Sequence, residues 1–89
     1  RISPKEIEKI VESIKFVEES ALCIKRIGNQ KEITSLRVVL KKNRIKNPIK
    51  IINKIINSEL ADYKKPKEII IVSKIEKTIN GKIIRLIKN

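Results

Sequence analysis

The chain has 89 residues and a formal net charge of +12, from 22 Lys and Arg against 10 Asp and Glu. This length predicts a single domain with a modest hydrophobic core. The sequence contains no histidine, which excludes a Ser-His or Cys-His nucleophilic site and a His-ligated metal. One cysteine cannot form an internal disulfide, and two glycines are too few for a glycine-rich phosphate loop.

The positive charge points to an anionic partner, such as a nucleic acid, a membrane surface or a phosphorylated metabolite. However, the lysines are spread along the whole chain, and one Phe, one Tyr and no Trp leave little surface for stacking bases. We therefore attribute most of the charge to solvation and expect no nucleic-acid partner. A small basic nucleic-acid-binding domain remains the alternative function. The cysteine usage and the lack of a long apolar segment predict a cytoplasmic protein without a membrane span.

The first residues predict the start of a helix. Ser3 is placed as the N-cap, Pro4 follows at the first helical position, and Glu6 completes a capping box. Ile2 and Ile7 are spaced for a hydrophobic staple across this start. The apolar residues at helical spacing are Ile7, Ile10, Val11 and Ile14. We expect the helix to end near residues 13–15.

Two strands are expected next. Residues 17–25 contain a continuous apolar run, which is typical of a strand buried on both faces and would bury the thiol of Cys23. Residues 28–31 indicate a turn, and residues 36–41 alternate as a second strand, antiparallel to the first. The basic residues 41–46 then form a solvated loop.

The second half predicts a helix, a strand and a short terminal helix. Asn47-Pro48 repeats the cap-then-proline start, and a stripe of isoleucines carries the helix to about Ala61. Residues 62–66 break this helix, residues 68–72 form the third strand, and residues 82–87 form the short helix. This order predicts an α+β domain over residues 1–89, with a small three-stranded sheet, two main helices packed on it and a short C-terminal helix.

The stretch 77–85 contains the candidate site. Gly81 permits a positive φ or a close approach to a ligand. Lys82 follows it directly, and an ammonium group with three donors suits phosphate or carboxylate oxygens. An ordinary turn followed by a solvated lysine is the alternative, and this stretch alone favours that alternative. The remaining residues offer no carboxylate pair and no metal site.

Four segments, in the right order and spacing, carry a family resemblance. Residues 1–8 match the end of a hinge motif Arg-Ile-x-Pro-x-Glu-Ile-Glu, and residues 36–40 lie where the family has an Ala-Phe-Val-Val-Leu strand. Residues 60–66 match Leu-x-x-Tyr-Lys-x-Pro, and residues 77–85 match Lys-Thr-x-x-Gly-Lys-Ile-x-Arg. Across essentially its whole length, the chain resembles the small C-terminal domain of the adenylate-forming (AMP-binding) enzymes. This superfamily comprises acyl-CoA synthetases, peptide-synthetase adenylation domains and luciferases.

The resemblance favours a functional Lys82 over the alternative of an ordinary turn with a solvated lysine. It implies that Lys82 is catalytic: it enters the active site of a larger N-terminal domain and contacts the substrate carboxylate and the ATP α-phosphate as the acyl-adenylate forms. The small domain then rotates and presents its other face to coenzyme A or to a carrier protein with a phosphopantetheine thiol. Gly81 and Thr78 would shape the loop. The possible hinge or supporting residues are Arg1, Lys77 and Arg85.

The same resemblance implies the partners of the chain. ATP and Mg²⁺ would be bound mainly by the N-terminal adenylation domain of the same polypeptide, with coenzyme A or a carrier protein as acceptor. The start at Arg1 indicates a fragment, and we expect the isolated domain to be inactive. A stand-alone interaction module with the same fold is a further alternative.

The chain departs from the family pattern in three places. Glu76 replaces the proline before the Lys-Thr pair, Lys31-Glu32 replaces a Gly-Glu pair beside the pantetheine path, and the hinge residue itself would precede Arg1. The second departure bears on thioester formation more than on adenylation.

Overall fold

The structure is a computed structural model that describes residues 3–42 and 44–88. Two helices, α1 and α2, span Pro4–Glu12 and Pro48–Glu59. Four strands, β1 to β4, span Val17–Ile27, Lys31–Leu40, Glu68–Ile71 and Leu86–Lys88. They form one mixed sheet in the order β3-β2-β1-β4, in which β1 and β2 are antiparallel and both outer pairs are parallel. The expected α+β class with two main helices is confirmed.

The expected three-stranded sheet and C-terminal helix are wrong. The last residues instead form β4, which pairs with residues 24–26 of β1 as a fourth strand. The backbone N–H of Ile24 donates to the carbonyl of Arg85 at 2.6 Å, just before this strand begins. A helix over residues 82–87 would leave that edge of β1 without backbone partners, and such unpaired groups are costly when they are covered by protein.

The start of α1 is partly as expected. Ser3 is the N-cap and a proline follows it, but its hydroxyl makes no capping hydrogen bond. Glu6 does not complete a capping box, since its carboxylate instead accepts from the Lys64 ammonium at 3.3 Å. This contact ties the first turn of α1 to the 3₁₀ turn Asp62–Lys64. The staple between Ile2 and Ile7 lies outside the described residues.

The remaining boundaries follow the sequence to within a few residues, except at the start of β2. Helix α2 begins after Asn47, which has a left-handed backbone at φ 54° and no side-chain cap. Gly28 lies in the predicted turn at φ 66°. Strand β2 begins at residue 31 instead of residue 36, because the hairpin with β1 continues to the pair of Ile27 and Lys31.

The two faces of the sheet carry separate hydrophobic clusters. The helices cover one face, and the buried residues there are Ile7, Val11, Phe16, Val17, Leu22, Leu36, Val38, Ile52, Ile56 and Leu60. A smaller cluster on the opposite face contains Ala21, Cys23, Val39 and Ile75. Strand β1 is therefore buried on both faces as predicted, since Leu22 lies in one cluster and Cys23 in the other.

The chain after β3 folds back across the second face. Val72, Ile83 and Ile87 pack against the smaller cluster from above. The Cys23 thiol is buried beneath them, as predicted, and burial raises its pKa. No helix in the described part of the chain is long and apolar enough to cross a membrane.

Candidate functional site

Residues 77–83 form a small hairpin where the sequence indicated only a turn. Lys77 and Ile83 pair as an antiparallel bridge at its base. The N–H of Thr78 donates to the carbonyl of Lys82 at 2.8 Å, and the N–H of Lys82 donates to Thr78 Oγ1 at 3.1 Å. The Thr78 side chain thus supplies an acceptor across the hairpin, and both backbone contacts hold Lys82 in place.

Gly81 is the residue of this loop that has a left-handed backbone conformation. Its N–H donates to the Thr78 carbonyl at 2.9 Å, and its φ is 86°. A three-residue hairpin loop commonly ends on a left-handed residue, and glycine adopts that conformation without steric cost. A Cβ at this position would meet nothing within 4 Å. The backbone conformation, not a close approach within the chain, therefore accounts for the glycine.

The hairpin presents Lys82, and Lys77 anchors the hairpin to the sheet. The Lys77 ammonium lies 2.5 Å from the Glu19 carboxylate of β1, so this lysine ties the hairpin to the sheet. The Lys82 side chain is exposed, and within residues 3–42 and 44–88 no carboxylate pairs with its ammonium. At the tip of the same loop, Ile79 is fully exposed. One cation and one apolar side chain thus project from the end of the domain.

Glu76 lies at the base of the hairpin, where the family pattern has proline. Its carbonyl accepts from the N–H of Ile84 at 2.9 Å, which continues the hairpin ladder by one pair. The substitution leaves this pairing intact, because only the carbonyl of Glu76 takes part.

Arg85 follows the hairpin and ties it to the core. Its Nη1 donates to Glu8 Oε2 at 2.6 Å and to the carbonyl of Leu22 at 2.9 Å, while Nη2 donates to Glu8 Oε1 at 3.3 Å. The N–H of Leu22 donates to the same Glu8 Oε2 at 2.7 Å. Because the Glu8 carboxylate accepts hydrogen bonds from its guanidinium, the pKa of Arg85 is raised above its usual value. The network joins α1, β1 and the end of the hairpin.

Glu8 is the residue that the sequence interpretation missed. It is only 7% exposed, although glutamate is rarely buried unless it is paired. The available signal was its position between Ile7 and Val11, within the apolar stripe of α1. A charge on that stripe indicates a buried partner.

The structure brings three of the predicted site residues together. Thr78, Gly81 and Lys82 lie together in the hairpin loop, whereas Arg85 braces its base. Arg1 lies outside the described residues. Within the described ranges there is no group of three or more His, Cys, Asp or Glu side chains that would hold a metal ion.

We predict that the Glu8–Arg85 pair stabilises the fold. Arg85→Met leaves a buried carboxylate uncompensated and should lower the free energy of unfolding by about 2–4 kcal/mol, somewhat less than for a fully buried pair because the Arg85 side chain is 33% exposed. Urea unfolding of Glu8→Gln, Arg85→Met and the double variant measures the coupling, which should exceed about 1 kcal/mol.

Arg26→Met is the matched control, since its partner is Glu32 and both side chains are about half exposed, at 49% and 47%. Its effect should stay within about 1 kcal/mol. Strict additivity of the Glu8 and Arg85 variants would contradict this interpretation of the pair.

The chain matches a known family over most of its length. The model of the AMP-binding enzyme C-terminal domain matches residues 6–82. None of the curated proteins matches the chain by sequence.

Solved structures of acyl-CoA ligases share the fold. The benzoate CoA ligase from Burkholderia xenovorans LB400 is 30% identical with a TM-score of 0.79, over 93% of this chain and 17% of that protein. The fatty acyl CoA synthetase of Mycobacterium tuberculosis is 29% identical with a TM-score of 0.74, over 93% and 16%. Apo MatB from Rhodopseudomonas palustris is 27% identical with a TM-score of 0.77, over 93% and 16%.

The chain thus spans only 16–17% of the length of these three enzymes. The family match covers both Glu8, in the first helix, and Lys82, at the hairpin. The chain belongs to the family of AMP-binding enzyme C-terminal domains, the small domains of the adenylate-forming ligases.

Proposed function

We propose that this chain is the C-terminal domain of an ATP-dependent, carboxylate-activating ligase of the acyl-CoA synthetase type, and that Lys82 is its catalytic residue. One observation carries the proposal. The Lys82 ammonium projects from a hydrogen-bonded hairpin, with no carboxylate partner among the described residues. A large N-terminal domain of the same polypeptide would supply the rest of the active site, including most contacts to ATP and Mg²⁺.

The chemistry of adenylation gives this lysine its role. A carboxylate oxygen of the substrate attacks the α-phosphorus of ATP, the bond to the bridging oxygen breaks, and pyrophosphate leaves. Negative charge builds on the phosphoryl oxygens and on the bridging oxygen during this exchange. A cation held next to these oxygens stabilises the developing charge in the transition state. Such preorganised electrostatic stabilisation is commonly the largest single contribution to rate enhancement.

The hairpin suits the delivery of one charge. Thr78 and Gly81 fix the loop through their hydrogen bonds, and the Lys77–Glu19 pair holds the hairpin against β1. Only the Lys82 side chain would then have to become ordered when this domain docks on the N-terminal domain. We assign loop-shaping roles to Thr78 and Gly81 and supporting roles to Lys77 and Arg85.

The second half-reaction is part of the same proposal. After adenylation the domain would rotate, withdraw Lys82 and present its other face to coenzyme A or to a carrier-protein thiol. The similarity to a benzoate CoA ligase and to a fatty acyl CoA synthetase supports a thioester product. The free, buried Cys23 fits an enzyme of the cytoplasm, where thiols stay reduced.

We predict that Lys82→Ala in the full-length enzyme lowers the ATP–pyrophosphate exchange rate roughly 10²–10³-fold, as expected for the loss of one preorganised charge contact. Thioester formation from preformed acyl-adenylate should survive, because that step no longer uses the lysine. The isolated 89-residue chain should show no exchange.

Lys54→Ala is the control, since Lys54 is exposed on α2 and takes part in neither the hairpin nor its contacts. It removes the same charge and should leave the exchange rate near the wild-type value. Equal rates for Lys82→Ala and Lys54→Ala would refute the catalytic role of Lys82.

The two glycines offer a second matched pair. Gly81 and Gly28 both have positive φ, and a Cβ at either would meet nothing within 4 Å. Alanine at either position should therefore cost a similar amount, about 1–2 kcal/mol, for the left-handed backbone. Only Gly81→Ala should also slow ATP–pyrophosphate exchange. If Gly28→Ala slowed exchange as much, overall stability and not loop shape would explain the loss.

A further inference from the structure

A cavity of about 450 Å³ lies on the second face of the sheet, away from the two helices. Its floor includes Arg37 of β2 and Cys23 of β1, and residues 72–76 form one wall. The end of the chain, including Ile84 and Ile87, contributes the opposite wall. This volume is in the range of pockets that bind small molecules.

The Arg37 side chain has no partner among the described residues that line this cavity. Its Nε is buried and makes no hydrogen bond. Nor does the rest of its guanidinium group form a hydrogen bond or an ion pair with any residue of the described part of the chain. A buried N–H of a charged group is costly without an acceptor, whereas a charge-assisted hydrogen bond to an oxyanion is among the strongest in proteins.

The nearby acidic groups already have partners of their own. Glu68 lies on the same face of the sheet, and its Oε2 accepts from Ser35 Oγ at 2.7 Å and from Lys25 at 3.5 Å. The Oε2 atom of Glu76 lies 4.0 Å from the Nζ atom of Lys74. The neighbouring Cys23 thiol is kept neutral, because burial raises its pKa. Within residues 3–42 and 44–88, no carboxylate therefore neutralises the Arg37 guanidinium.

The walls of the cavity indicate which anion would fit. Val72, Ile75 and Ile87 provide aliphatic surface, while Ser73 and Lys74 add a hydroxyl and a second cation at the rim. A ligand that fills this space needs one oxyanion for Arg37 and an apolar body for the aliphatic wall.

We propose that this cavity is a binding site for a small organic anion, a carboxylate on an aliphatic body, held by the guanidinium of Arg37. The site is separate from the Lys82 ammonium and does not depend on the role proposed for that lysine. The chain supplies the cation of this site, Arg37, and the ligand would supply the oxyanion that accepts its hydrogen bonds.

The test uses octanoate as the probe, with the 89-residue chain followed by two-dimensional ¹H–¹⁵N NMR. Octanoate should shift the amide resonances of residues 72–76 saturably. Octan-1-ol has the same apolar body without the charge, and inorganic phosphate has the charge without the body, so both should bind at least tenfold more weakly. No saturable shift, or equal binding of octanoate and either control, would overturn the proposal.

Two variants assign the binding to Arg37. Arg37→Met and Arg37→Gln keep a side chain of similar length, and both should weaken octanoate binding about tenfold or more, as expected for loss of a charge-assisted hydrogen bond. Arg44→Met is the charge-matched control, since Arg44 is exposed in the basic loop, and it should bind as the wild type does. Wild-type affinity in either folded Arg37 variant, or an equal loss in Arg44→Met, would show that Arg37 is not the receptor.

Discussion

One edge of β1 sets the arrangement of the whole domain. The short strand β4 covers only residues 24–26 of this edge, and the backbone N–H groups before them need other acceptors. Both acceptors come from the side chains of α1, for the N–H groups of Ser20 and Leu22, and the β4 pairing begins with the next outward N–H, that of Ile24. The donor–acceptor pairs are Ser20 to Glu12, Leu22 to Glu8 and Ile24 to the Arg85 carbonyl, at 2.9, 2.7 and 2.6 Å. Helix α1 thus completes the edge of the sheet that β4 begins.

The hydrogen bond from the Leu22 N–H brings the Glu8 carboxylate into the core. The cation that pairs with this carboxylate links the edge of β1 to the candidate site. Glu8 has to be nearly buried to reach the N–H of Leu22, so it requires a cation nearby. Arg85 supplies that cation, and it lies only three residues after Lys82. The hydrogen bonds that close β1 therefore also fix where the hairpin leaves the body of the domain. A domain proposed to deliver one lysine needs such a rigid base, because a displacement of about 1 Å can cost a large factor in rate.

Much of this follows from the sequence, and the exceptions share a cause. The helical stripes, the doubly buried β1 and the loop before Lys82 were predicted because each depends on local spacing. Strand β4 was missed because the four aliphatic residues around Arg85, within 83–87, suit either a short helix or a strand, and only the open edge of β1 decides between them. The roles of Glu8 and Arg37 were missed for the same reason. A charged side chain is normally solvated, and only the tertiary fold shows that Glu8 is paired and that Arg37 Nε is buried without a partner.

We propose that Arg85 acts through the position of Lys82. A double-mutant cycle on ATP–pyrophosphate exchange in the full-length enzyme tests it most directly, with Arg85→Met, Lys82→Ala and the combined variant. Arg85→Met alone should slow exchange roughly tenfold or more, as a displaced catalytic group does. In the Lys82→Ala background the same change should have almost no further effect, because no lysine remains to be displaced. Losses that multiply in the double variant would contradict the account.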